Sequence, residues 1–111
     1  MARARRTPPI PPDAEAVIRR LETRGPVRTR AMFGGHGVWC VGRFVAVVFA
    51  GSLYLKADAA TRPLFEAAGC PAFRPFEGRP SSMSFYRLPA EATAGSDALD
   101  VWLERAVSAA R

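Results

Sequence analysis

The stretch RAMFGGHGVW, residues 30–39, sets Gly34, Gly35, Gly37 and the chain's single histidine, His36, between two apolar runs. Its reading decides the fold. A phosphate loop of the Walker type needs a lysine directly after its last glycine, so that backbone N–H groups and an ammonium converge on the phosphates. Here Gly37 runs into Val38-Trp39. A dinucleotide fingerprint needs GxGxxG between a strand and a helix, whereas both flanks of this stretch read as extended chain. A histidine base needs a nucleophile and an orienting acid beside it. Cys40 lies four residues on from His36, and the sequence supplies no third member. What remains is structural: the glycines permit a kink, a bulge or a close backbone approach between strands. His36 is then a loop residue open to solvent.

Outward from this bend the periodicity divides the chain. Upstream, Ala14, Val17, Ile18 and Leu21 recur at helical spacing behind Asp13, which reads as an N-cap, and Gly25-Pro26 closes the helix. Residues 28–33 lead into Gly34-Gly35, with 37–41 as a second extended run. Gly42-Arg43 reads as a hairpin turn before FVAVVFA, residues 44–50, and Gly51-Ser52 precedes LYLKA, residues 53–57. Residues 58–68 form a second helix. Pro63 belongs in its first turn, which makes Thr61 the effective cap or leaves the opening turn irregular. Residues 72–76 and 82–88 read as strands. Asp97 caps a last helix that presents Leu99, Trp102, Leu103 and Ala106 on one face, with Val107 beside them.

The resulting order is α-β(3)-α-β(2)-α, a two-layer α+β domain with an antiparallel sheet. In FVAVVFA both alternating sets of side chains are apolar, so both faces of that strand need a cover. A twofold partner provides one economically, and a homodimer is expected.

Composition bounds the function. With 49% apolar and 23% charged residues the chain of 111 is a single ordinary globular domain. Residues 1–12 carry Arg3, Arg5, Arg6 and four prolines, a composition expected to stay disordered, so the folded domain is placed at 13–111. No apolar run follows the N-terminal charges or reaches membrane-spanning length, which predicts a cytoplasmic protein without a membrane partner. The net charge of +6 is concentrated upstream: residues 1–30 hold eight arginines against Asp13, Glu15 and Glu22, and the remainder is nearly balanced. Any attraction for nucleic acid is therefore expected to be weak and mainly through residues 1–12. Two cysteines without a CxxC pair and one histidine are too few ligands for a closed zinc site. No paired carboxylates, catalytic constellation or cofactor loop is recognisable. Neither a catalytic residue nor a cofactor is assigned.

Gly25 to Gly37, GPVRTRAMFGGHG, resembles the opening of the TfoX N-terminal domain, also called the Sxy family. LYLKAD at 53–58, FEAAG at 65–69 and MSFYRLP at 83–89 follow in the family's order, so that the resemblance covers roughly residues 14–110. It implies a two-layer fold similar to secretion chaperones. Met32, Phe33, Gly34, Gly35 and Gly37 are then its structural mark. Full-length TfoX proteins regulate natural competence together with the cyclic-AMP receptor protein and carry a C-terminal helical domain, for which this chain has no room. The resemblance thus implies a stand-alone, non-enzymatic interaction module with a regulatory role in competence or transcription. Candidate contact residues are Arg28, Arg30, His36, Trp39, Lys56 and Arg87, polar or aromatic groups near the bend or on strands. The alternatives are non-specific DNA binding by the basic tail and a domain that binds a small ligand or a partner's extended peptide on a strand edge.

Overall fold

The computed structural model describes residues 8–32, 34–74 and 84–110. Helix α1, Pro12–Leu21, buries Ala14, Val17, Ile18 and Leu21 as its spacing requires. Its N-cap is Pro11 rather than Asp13, because Pro12 brings a φ already suited to the first helical position and no N–H to satisfy. Asp13 lies inside the first turn, where its charge meets the unpaired N–H groups. Ile10 packs against the core just ahead of the helix. A 3₁₀ turn, Glu22–Arg24, follows and ends at Gly25, whose φ of +137° suits glycine alone.

Strands β1 (Val27–Met32), β2 (Gly35–Cys40), β3 (Arg43–Phe49), β4 (Ser52–Lys56) and β5 (Phe85–Arg87) form one antiparallel sheet in chain order. The expected α+β class, five strands and three helices are present, but among the described residues the strands divide four and one about α2 (Arg62–Ala67) rather than three and two. The glycine stretch is the cause upstream. It brings Met32 opposite Gly35, so the two extended runs become Val27–Met32 and Gly35–Cys40, two strands of one hairpin. Downstream, a proline is the cause. Pro71 has no N–H to donate, and of the expected strand at 72–76 the described residues 72–74 show only a bridge between Ala72 and Tyr86. Residues 75–76 of that segment and residues 82–83 lie outside the described residues, as do Phe33 and Arg3, Arg5 and Arg6 of the tail.

The turn after β2 is Val41-Gly42, both at positive φ (52° and 76°), one residue earlier than the sequence suggested. Thr61 stands at the N-cap of α2, and the N–H of Ala60 and of Thr61 donate to the Asp58 carboxylate at 3.1 and 3.0 Å. Helix α3, Asp97–Ala109, is capped by Ser96, whose Oγ accepts from the Leu99 N–H at 3.1 Å. Asp97 is the first helical residue.

Helices cover one face of the sheet. Leu21, Val38, Cys40, Leu55, Phe65, Leu99 and Leu103 are fully buried there, and Phe65 lies between Tyr86 and Trp102 with ring centroids 5.4 and 4.7 Å away. A bidentate pair from Arg20 to Asp100, at 2.6 and 2.8 Å, ties α1 to α3. The opposite face has its own small core of Val47, Phe73 and Phe85, flanked by Phe44, Phe49 and Tyr54. Phe73 meets Phe49 edge-on at 5.5 Å and Tyr54 at 4.9 Å. Both apolar faces of β3 are thus covered within one chain, and the need that suggested a twofold partner is met by Phe73.

Candidate functional site

The bend builds the site. Met32 and Gly35 close the β1–β2 turn, and Gly34 holds φ +80° within it. Gly35 admits no side chain: a Cβ there would fall 2.2 Å from the Val48 carbonyl oxygen. At Gly37 the space a Cβ would take is filled by the Met32 sulfur and the Trp39 ring, each 2.7 Å from that position. Trp39 brings its ring edge close over Gly37 and stacks on Phe44 at 4.5 Å with planes 13° apart. Close approach is therefore what two of the glycines provide, and the turn what the third provides.

The phase of the hairpin follows from one bond. Val41 N–H donates to Pro26 O at 2.9 Å, so residues 26 and 41 form a hydrogen-bonded pair. Such pairs alternate along an antiparallel ladder. With the register Arg28↔Trp39 and Arg30↔Gly37, the backbone groups of Arg28, Arg30 and Met32 face β2. The N–H of Gly35 and of Gly37 point into β1 rather than toward a phosphate. On the other side β1 is an edge strand. The N–H and C=O of Val27, Thr29 and Ala31 point away from the sheet.

Three of the six candidate residues come together here. Arg28, Thr29, Arg30, Trp39 and Gly42 line a shallow depression of about 470 Å³. Arg28 and Arg30 are exposed, and no hydrogen bond or ion pair engages either among the described residues. Trp39 is half-buried. The other three lie elsewhere. Lys56 sits on β4 with Nζ 5.2 Å over the Phe85 ring. Arg87, opposite Tyr54 on the far edge strand, borders a separate depression of about 350 Å³ that Asp13, Val17, Leu53 and Pro89 also line. His36 stands opposite Ala31 and Val48 on the helix-bearing side of the sheet, half-buried within β2 rather than in a loop. Four residues of extended strand, roughly 13 Å, separate it from Cys40. The Cys40 thiol instead donates to Leu21 O at 3.8 Å, and burial raises its pKa.

Sequence reasoning missed Thr29, whose backbone faces outward because β1 is an edge, a property no local pattern encodes. It also missed that Phe44 and Phe85 extend the Trp39 stack across the sheet, with Phe44 and Phe85 centroids 4.9 Å apart. Elsewhere the Tyr86 phenol, its hydroxyl donating to Glu66 at 3.3 Å, is raised by burial and by that carboxylate. Among the described residues no three His, Cys, Asp or Glu side chains gather as metal ligands would, and no helix is long and apolar enough to cross a membrane.

A search of the curated proteins returned no match. The model of the TfoX N-terminal domain, in contrast, matches residues 19–110, from within α1 to the end of α3. The glycine bend, the antiparallel sheet and the closing helix all fall inside that span, and the chain belongs to the TfoX N-terminal domain family.

Proposed function

We propose that this chain is a non-enzymatic protein-interaction module with a regulatory role, and that its partner docks at the β1 edge. One observation carries the reading: two exposed, unpaired arginines and a half-buried tryptophan stand on and beside an edge strand whose outward backbone groups are open. Exposed arginine with tryptophan is the composition of interface hot spots. On this reading the protein acts in the cytoplasm, in regulation of competence or transcription, as its likeness to TfoX proteins implies. The β1 edge is proposed in place of a twofold contact on the β3 face, which Phe73 covers.

A photo-crosslinking residue at position 30, in cells, tests the proposal, with the same residue at the exposed position 62 as control. Specific protein adducts from position 30 alone are expected. Equal adducts from both positions, or none from either, contradict it.

The charge of residues 1–30 supports a second reading, non-specific DNA contact through the tail. Duplex binding followed across a salt series separates the two. If Arg3, Arg5 and Arg6 touch phosphates, replacing all three with alanine flattens the log–log slope by ~2.7, at ~0.9 per contact.

A further inference from the structure

We propose that the free edge of β1 takes up an extended acidic segment of a partner protein as an added antiparallel strand, its carboxylates at alternate positions meeting Arg28 and Arg30. The inference rests on the interaction-module reading and gives that partner a chemistry.

The ladder phase supplies the register. Val27, Thr29 and Ala31 offer outward N–H and C=O groups, enough to pair with a segment of about five residues. Arg28 and Arg30 project to one face, two residues apart. On an added strand the residues opposite them fall in the non-hydrogen-bonded pairs, where Cα atoms come within ~4.5 Å and side chains are closest. Glutamates at alternate positions therefore meet both guanidiniums at once, and glutamates at adjacent positions cannot. The Trp39 indole, opposite Arg28, provides an apolar shelf for their methylene stems.

Charge selects this occupant over the nearer ones. Residues 27–40 contain no aspartate or glutamate, so the edge has no carboxylate of its own to offer the arginines. A second copy pairing β1 with β1 about a twofold axis sets the four arginines on one face, where like charges across strands repel. The chain's own N-terminal segment carries Arg3, Arg5 and Arg6, the same sign again.

The test is fluorescence anisotropy on the full chain at low ionic strength, with labelled peptides of threonine, valine and two glutamates, about seven residues long to exceed the open edge. One peptide has its glutamates at alternate positions; its isomer has them adjacent. The first is expected to bind at least ~10-fold tighter, and R28E/R30E to weaken it by ~10-fold or more. Thr29→Pro removes an outward N–H without touching a β1–β2 bond, the one kind of strand position that tolerates proline, and should abolish binding.

Should that variant unfold, amide exchange on the wild-type complex carries the same question. Thr29 and Ala31 should gain protection while Arg28 and Arg30 stay unchanged. Equal binding of the two peptides, or binding without new protection at Thr29 and Ala31, overturns the proposal. Tighter uptake of single-stranded DNA than of the peptide, lost in R28E/R30E, overturns it in favour of a nucleic acid. If neither peptide binds but position 30 still crosslinks to protein in cells, the acidic strand falls and the interaction module stands. If both fail, both readings fall.

Discussion

Gly35 and Gly37 sit two residues apart on the same strand and face, yet a methyl group meets different matter at each. At Gly35 it runs into the Val48 carbonyl oxygen, backbone that cannot move without opening the β2–β3 ladder. Gly35→Ala is expected to cost ~3 kcal/mol or more in a denaturant titration. At Gly37 the obstacles are the Met32 sulfur and the Trp39 ring, both side chains. Gly37→Ala should cost less, ~1–2 kcal/mol, and should shift the indole N–H resonance of Trp39 as the ring is displaced. Ala50 poses the opposite case. It holds φ 50° ahead of Gly51 at φ 81° in the β3–β4 turn, a left-handed pair that favours Asn-Gly. Ala50→Asn is expected to stabilise the fold by ~0.5–1 kcal/mol, seen as a higher denaturant midpoint with unchanged slope.

Among the elements, α1 and α3 were legible, whereas α2, 62–67 against an expected 58–68, and the strands were legible only in part. The apolar faces of α1 and α3 follow from the 3.6-residue period alone; α1 buries the four residues the spacing chose, and α3 buries its four together with Ala109 while Val107 stays half-buried. Strand number depends on where a turn closes, and Gly34-Gly35-His36-Gly37 offered several places. Pro71 weakened the start of a strand that the apolar pattern of 72–76 still suggested. The caps of α1 and α3 shifted by two residues and by one where a neighbour served better, as Ser96 does for α3; Ser96→Ala should cost ~1 kcal/mol.

The α1–α3 tie was not legible at all, since it joins residues 80 apart. Hydrogen bonding to Arg20 holds the Asp100 carboxyl below its ordinary pKa, and the charge of that guanidinium acts in the same direction. A depressed folded-state pKa gives stability that is present above the ordinary carboxylate range and lost as pH falls through the lowered value. The thermal midpoint of the wild type should therefore exceed that of Arg20→Ala at neutral pH, by a small margin that salt erodes. The gap should close on acidification. A gap that persists in acid would assign the Arg20 effect to packing instead.

For the molecule as a whole, the sheet has two covered faces and two edges of different character. Helices take one face and the Phe73 cluster the other; α2 and the 71–74 segment crowd β5, and among the described residues β1 is left open. The sequence named Arg28, Arg30 and Trp39 as contact residues together with His36, Lys56 and Arg87. Only the register separates the first three from the rest, because face and edge are properties of pairing across strands. One residue of slip would have sent Arg28 and Arg30 to the helix side.

Amide hydrogen exchange of the unliganded full chain tests that open edge most directly. Slow exchange is predicted at Arg28 and Arg30, whose N–H groups face β2, and fast exchange at Thr29 and Ala31 between them. Uniform protection from Val27 to Met32 would contradict it, for it would mean that the edge is already paired and has no place for a partner.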